Sequence, residues 1–488
     1  MGLTYLLGID AGQTATKAVL FDATGNVVAV GRADNEVATP HPGWQERDMR
    51  ALWRQAATAI ARCLATAGAT GRDVAAIGLC GHNDGVYPVD AAGEPVRAAI
   101  LATDSRARDY VDRYRTDGTA DKALPLTGQS PFAGSPASVY AWLRDHEPHT
   151  LERARWLLFC KDWLRLCLTG EAATDPTDAS ASFTNVHTQQ YSPEALTLYG
   201  FSDLADRLPA MLAPAALAGR VTAAAAKETG LAAGTPVVTG AHDVDAAALG
   251  VGAVHPGAVS IVMGTFAINQ VVSDEIRLDH RWQARSFLDR NRWLHMSTSP
   301  SSASNLDWAV RLLGPHDPAG RPDFAAAVTE GFTIPAASAP QFLPFLYGSA
   351  HGAVGAAFAA MRAGHRRAHL LRAVFDGVVF SHRTHLDALR SQFPLAGPAR
   401  LCGGGAHSAQ WSQLLADVTG LDIETTDTDE ASARGAAILA GLGIDWYASL
   451  DEAVHATVRN ARRHEPNPSA ELEDKYHGYL DLAGKLLP

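Results

Sequence analysis

Residues 6–22 read LLGIDAGQTATKAVLFD. One apolar run ends at Asp10, a glycine-containing turn follows, and a second apolar run begins after Lys17, which is the pattern of a β-hairpin. A third short strand, NVVAVGRAD at 26–34, follows the turn ATGN and makes the start of the chain a β-meander. The first strand would deliver Asp10 to its C-terminal end. The turn at Gly12 would expose backbone N–H groups and the hydroxyls of Thr14 and Thr16, with Lys17 next to them. A carboxylate for Mg²⁺, a turn of donors and a cation are what triphosphate binding needs. The stretch is not a P-loop, since GxxxxGK[ST] occurs nowhere in the chain. On these residues alone, an ordinary hairpin with a turn aspartate fits as well.

Outward from this hairpin, Leu52, Ala56, Ile60 and Leu64 recur at helical spacing after Asp48, a residue suited to cap a helix. VAAIGLCG (74–81) reads as a buried strand. VYPVD-AAGE-PVRAAIL (86–101) reads as a second hairpin, and helices and strands then alternate, so the class is α/β. Residues 206–236 are rich in alanine and proline and read as a connecting element. Beyond them, AVSIVMGTFAINQVV (258–272) is another strand-turn-strand, with Gly264-Thr265 at its turn, and its likeness to the first hairpin suggests an internal duplication. A helix over 368–390 and the run ARLCGGGAHS, helix, DIETT, helix complete the second half.

Three further stretches can carry chemistry. GGGAHSAQW (403–411) puts Gly404 and Gly405 between a strand and a helix, where backbone can approach a planar or phosphorylated ligand. GAHDVDAAALGVG (240–252) brings His242, Asp243 and Asp245 together. H-D-x-D matches no regular zinc spacing. Asp245 reads as a helix-start charge one turn into a helix, near its N-terminal dipole, with capping as its role. Asp243 falls at a strand-to-helix junction, where a general base can meet a hydroxyl. HPGWQERD (41–48) and GHNDGVY (81–87) set aromatics beside carboxylates, which suits a polyhydroxylated ligand.

The 488 residues are 47% hydrophobic and 19% charged, which is a globular composition with room for two or three domains. The net charge of −11, with no basic stripe, argues against a nucleic-acid partner. No apolar run approaches ~18 residues and the start has no basic signal-peptide region, so neither a membrane span nor a leader is expected. The five cysteines include no CxxC and sit among apolar residues, as reduced thiols of a cytoplasmic protein do.

Taken in order, the hairpin, PGWQERD, AAILATDSRA, KDWLRLCLTGEAATDPTDAS, GAHDVDAAALGVG, VMGTF, FLPFLYGS, HLLRAVFDGVVF, GGGAHSAQWSQLLADVTG and DEASARGAAILA resemble the FGGY family of carbohydrate kinases. The resemblance implies two ribonuclease H-like (actin/Hsp70-type) ATPase domains with a cleft between them, here 1–239 and 240–488. It implies transfer of the γ-phosphoryl of ATP to a hydroxyl of a sugar or polyol. Asp243 matches the base, with Gly250 at the required spacing, and Asp10 the Mg²⁺-associated carboxylate. Gly12, Thr14, Lys17, Gly264 and Thr265 match the phosphate-facing positions. Gly404, Gly405, Gln410 and Ser412 match the adenine side. Trp44, Asn83, Asp84, Asp104 and His242 would face the sugar.

The departures bear on the substrate. Ala102 stands where many members have tryptophan, Asn83-Asp84 replaces other pairs, and His242 replaces a small residue. This combination looks closest to the branch of L-xylulose and erythritol kinases. Ala360 replaces a glycine, and the loop GSAHGAVG looks shortened. A homodimer is what the family implies. A non-catalytic actin-fold sugar sensor, or another ATPase, is the competing expectation, although no basic helix-turn-helix precedes GIDAGQ.

Overall fold

The computed structural model describes residues 4–346, 348 and 354–486. The loop GSAHGAVG lies for the most part outside them, as do Tyr347 and Ser349 of FLPFLYGS. The elements that matter below are β1 Tyr5–Ala11, β2 Ala15–Phe21, β3 Val27–Asp34, α1 Met49–Ala67, β4 Val74–Gly81, β5 Leu217–Arg220, β6 Pro236–Val238, α2 Asp243–Gly250, β7 Val259–Met263, β8 Ala267–Ser273, β9 Trp293–Ser299, α3 Ala303–Leu313, α4 Arg367–Arg390, β10 Ala399–Cys402, α5 Ala409–Thr419, β11 Ile423–Thr426, α6 Ala431–Gly443 and β12 Asn460–His464.

The chain forms two compact units, and they do not follow its linear halves. The first holds residues 1–254, 274–294 and 430–458; the second holds 255–273, 295–429 and 459–488. The Asp243 helix α2 and the later helix α6 thus both belong to the first unit, although the sequence placed them beyond the division at 239/240.

The first unit is built on a mixed sheet in the order β5-β6-β4-β1-β2-β3. β1, β2 and β3 are the antiparallel meander expected from residues 5–34, while β4 joins β1 in parallel. In α1, Asp48 accepts a 2.9 Å bond from the Ala51 N–H, and Leu52, Ala56, Ile60 and Leu64 are all buried. The alanine- and proline-rich stretch 206–236 is structured, contrary to a plain connector: it contributes the edge strand β5, a short helix Ala223–Thr229, and the start of β6.

The second unit repeats the topology. Its sheet runs β9-β8-β7-β10-β11-β12, with β7 and β8 antiparallel and β10 parallel to β7. Each unit therefore has a meander whose first strand pairs in parallel with a later, helix-connected strand, which is the duplication suggested by the two hairpins. The class is α/β with two ribonuclease H-like domains. α4 is long and almost wholly buried along one side, as its apolar spacing requires. Ala360 adopts a left-handed φ of 59°, which explains why glycine suits that position better. None of the five cysteines, all among the described residues, is in a disulfide.

Candidate active site

In the first unit, register sets the geometry. Asp10 lies opposite Lys17 across the hairpin and beside Cys80 of β4. The intervening turn is pinned from behind. Asn35 Nδ2 donates to the Gly12 carbonyl at 2.8 Å, the Asn35 N–H to the Thr14 carbonyl at 2.8 Å, and the buried Arg47 guanidinium to the Gln13 carbonyl. Arg47 also meets His82 Nε2 at 3.1 Å, and burial together with this cation pushes His82 down to about 3. Thr14 is exposed at the turn. Thr16 is not: it lies inside β2, is fully buried, and its hydroxyl donates to Asn35 Oδ1 at 3.1 Å, whereas Thr14 belongs to the turn before the strand.

Lys17 reaches both carboxylate oxygens of Glu430, at 2.9 and 2.8 Å. Asp10 is half-buried, and burial raises its pKa to about 6 against the lowering influence of Lys17. Asp10 fits a divalent cation as a single carboxylate: cation binding would offset its desolvation, and no group of three or more ligating side chains occurs among the described residues. Mg²⁺ is held in this way, by one or two carboxylates plus water and phosphate oxygens.

At the end of β4, Ala241 and His242 pair with Cys80 and Gly81 and α2 begins at Asp243. This places Asp243 at the N-terminus of a helix whose cap makes no side-chain hydrogen bond. Its side chain is 28% exposed. Burial raises its pKa to about 7, with the nearby charges of Asp10 and Asp84 adding to this and Arg285 opposing it. A carboxylate with a proton affinity near neutrality at a strand-to-helix junction can accept a proton from a hydroxyl.

Small residues make this junction possible. α6 runs against β1, β4 and α2, and a Cβ on Gly8, Gly78 or Gly250 would lie 1.9 Å from a carbonyl oxygen of α6, at Ala433, Ala436 and Ala431 respectively. Gly435 meets the Ala246 carbonyl of α2 equally closely. The glycine seven residues after Asp243 is thus a packing requirement. Arg434 then fastens the end of α2, donating to the Gly250 carbonyl at 2.8 Å.

Asp245 corrects the sequence expectation. It is fully buried, neither carboxyl oxygen has a hydrogen-bond partner among the described residues, and burial pushes its pKa well above the carboxylate range. It does stand in the first turn of α2, but it makes no capping bond: the third residue of α2 points at the body of the unit, as a buried neighbour of His242. His242 has Nε2 3.2 Å from Asp243 and Nδ1 3.1 Å from Asp245. Burial, with Arg285, His82 and Lys161 around it, drives the imidazole pKa well below 6.5, so these are contacts of a neutral ring. Beneath them lies Lys161, fully buried, 2.7 Å from Asp162 and 2.8 Å from both Asp175 and Asp178. The Thr177 hydroxyl of that layer accepts the His242 N–H at 2.8 Å.

The residues expected at the sugar differ in what they offer. Asn83 is tied down, its amide donating to the Asp178 carbonyl at 3.2 Å. Asp84 sits at a left-handed φ of 63° and meets Nη2 of Arg285 through both oxygens, at 3.1 and 3.0 Å. Burial raises the Asp84 pKa and Arg285 offsets part of that. Asp104 is buried, and its carboxylate is engaged by the Gln45 N–H and by the Arg106 N–H, Nε and Nη2. It holds the Trp44 loop in place. Trp44 is half-buried, with Arg106 over its ring at 3.9 Å and Trp142 edge-on at 5.1 Å.

The second unit gathers the remaining positions. The Gly264 and Thr265 carbonyls accept the Ala303 and Ser302 N–H groups at 2.8 and 3.0 Å, which seats the start of α3 on the turn, and Thr265 is exposed. Gly403 has a φ of 87°, and a Cβ on Gly405 would strike Met263, so the glycine turn packs directly on the β7 end. Gly404 and Gln410 are exposed at the start of α5. Ser412, by contrast, is fully buried. Arg47, Lys161, Arg285 and Glu430 were not picked out from the sequence. Arg47, Lys161 and Glu430 fall inside PGWQERD, KDWLRLCLTGEAATDPTDAS and DEASARGAAILA, but nothing in those stretches names their partners, and Lys17 and Glu430 meet across 413 residues of sequence.

The N-terminal domain of the FGGY family of carbohydrate kinases matches residues 5–250 and its C-terminal domain residues 325–444. The chain is 35% identical to the L-xylulose/3-keto-L-gulonate kinase of Escherichia coli, over 99% of this chain and 97% of that protein. It is 34% identical to a probable L-xylulose kinase of Pasteurella multocida, over 99% of each. The xylulose kinase structure from Rhodospirillum rubrum superposes with a TM-score of 0.87 at 26% identity and covers 99% of both chains. With both domain models matched and a curated relative 35% identical over nearly the whole chain, the chain belongs to the FGGY family of carbohydrate kinases, the ATP-dependent sugar phosphotransferases.

Proposed function

We propose that this enzyme phosphorylates a hydroxyl of a small ketose of the L-xylulose class, with Asp243 as general base and Mg-ATP as donor. The observation that carries the reading is Asp243 itself: a partly exposed carboxylate at a helix start with a pKa raised to about 7. The curated relatives named L-xylulose kinase, alike over nearly the full chain, support the substrate class. A pentitol or tetritol such as erythritol belongs to the same chemistry.

In this mechanism Asp243 accepts the hydroxyl proton while the sugar oxygen attacks the γ-phosphorus. The bond from that phosphorus to the bridging oxygen breaks, and ADP leaves. Phosphoryl transfer needs alignment and charge neutralisation more than covalent help. Asp10 would hold Mg²⁺, which would supply charge neutralisation on the phosphate oxygens. Gly12, Thr14, Lys17, Gly264 and Thr265 serve the phosphates, and Gly404, Gly405 and Gln410 the adenine side. Trp44, Asn83, Asp84 and His242 shape the sugar subsite, and Asp104 acts there through the Trp44 loop. The family likeness adds a homodimer and a cytoplasmic setting.

The test is ADP release coupled to a panel of L-xylulose, D-xylulose, ribulose, 3-keto-L-gulonate, erythritol, ribitol, xylitol and glycerol. Stimulation is expected with a ketose, L-xylulose above D-xylulose. An ATPase rate unmoved by every member of the panel would overturn the reading and favour a sugar sensor.

A further inference from the structure

Arg285 lies outside every motif yet stands at the centre of the first unit's charge pattern. It is carried by the strand Gln283–Ser286, fixed by the Ala284 N–H donating to the Gly128 carbonyl at 2.8 Å, and its side chain is 1% exposed. One nitrogen, Nη2, meets both oxygens of Asp84. The other two, Nε and Nη1, have no hydrogen-bond partner among the described residues. An arginine buried for stability alone would leave such donors unpaired at a substantial cost. The acceptor that Arg285 does have among the described residues is Asp84. The same cation acts electrostatically on Asp243, Asp245 and His242.

We propose that Arg285 is a positioning residue for the acceptor sugar: it holds Asp84 as an ionised, acceptor-only carboxylate and so sets which hydroxyl pattern the enzyme takes. This rests on the reading that Asp84 binds the sugar. The physical reason is an inversion of hydrogen-bonding character. A buried aspartate without a cation takes up a proton and becomes a donor, whereas one paired with arginine can only accept. Because Asp84 sits in a left-handed backbone conformation and Gly85 beside it would strike the Ile100 carbonyl if it carried a Cβ, the peptide cannot swing to find another partner. Its direction depends on Arg285.

The experiment compares wild type with Arg285→Met, Arg285→Lys, Asp84→Asn and the double variant Arg285→Met/Asp84→Asn, using the full chain. Steady-state kinetics with L-xylulose should show KM raised about tenfold or more in Arg285→Met, with a smaller fall in kcat. Arg285→Lys should recover part of that loss. The double variant should be no worse than the worse single, since one residue acts through the other. Among the charges that bear on Asp243, namely Asp10, Asp84 and Arg285, only Arg285 lowers its proton affinity, so the acid limb of the kcat/KM profile should move to higher pH in Arg285→Met. An unchanged KM and limb, or single effects that multiply, would overturn the proposal.

Should wild type turn over no ketose, the functional reading fails on its own. The Arg285–Asp84 link is then judged without substrate, by a double-mutant cycle in urea unfolding, and additive effects there reject it. If Arg285→Met does not fold, Arg285→Lys and the double variant carry the decision.

Discussion

Nε2 of His242 lies 3.2 Å from Oδ1 of Asp243, and the two titrate in opposite directions: burial drives the imidazole down and the carboxyl up. A neutral ring therefore stands beside the base. His242 is expected to show no titration between pH 5.5 and 8 when its ring carbons are followed by NMR, and the activity profile should carry no His242 step. A His242 transition near pH 6.5 would contradict this.

Activity should instead follow Asp243. The base works only when deprotonated, so kcat/KM should rise with pH through a midpoint at about 7. Asp243→Asn should fold and lose about 10²–10⁴-fold in kcat, measured as ADP release. Near-wild-type turnover in that variant would remove Asp243 from the mechanism.

The same carboxyl makes a stability prediction. Its folded pKa is raised above the ordinary 3.8, so the folded state binds the proton more tightly than the unfolded chain does. Its contribution to stability is lost as pH rises from about 4 to about 7 and stays lost above. Asp243→Asn should accordingly raise Tm at pH 8, and the gain should shrink as pH falls towards 4. A variant whose Tm gain is the same at pH 4 and pH 8 would exclude this linkage.

Lys161 bonds three buried carboxylates, and Arg165 shares one of them, Asp162, at 3.0 Å. Burial lowers the Lys161 pKa, and Asp162, Asp175 and Asp178 outweigh that and raise it. Lys161→Met should cost about 3–5 kcal/mol in urea unfolding, because removing one partner of a buried charge cluster leaves the others uncompensated. A loss under about 1 kcal/mol would mean that the carboxylates are neutral or hydrated.

The contact of α6 with its neighbours predicts a contrast among glycines. Gly8→Ala and Gly435→Ala each place a Cβ 1.9 Å from a backbone oxygen and should cost at least about 1–3 kcal/mol. Gly484→Ala, where nothing lies within 4 Å, should be neutral or slightly stabilising. Equal Tm shifts in all three would show that the backbones at α6 can part.

The chain's sequence by itself determined the class, the repeated hairpin, the cap at Asp48 and the positions of Asp10 and Asp243. Each of these is local: strand and helix periodicity, turn glycines and a residue at an element boundary are all expressed within a few residues of chain. Tertiary structure decided what those groups are chemically. The sequence spacing made Asp245 a helix-start charge and the family resemblance made Asp104 a sugar-facing residue, but packing buried the first and surrounded the second with donors. It also supplied Arg47 behind the hairpin turn, Glu430 for Lys17 and Arg285 for Asp84, from positions up to 413 residues away. Proton affinity and hydrogen-bond direction depend on which atoms meet in space and on how much water is excluded around them, and neither quantity is written in neighbouring residues.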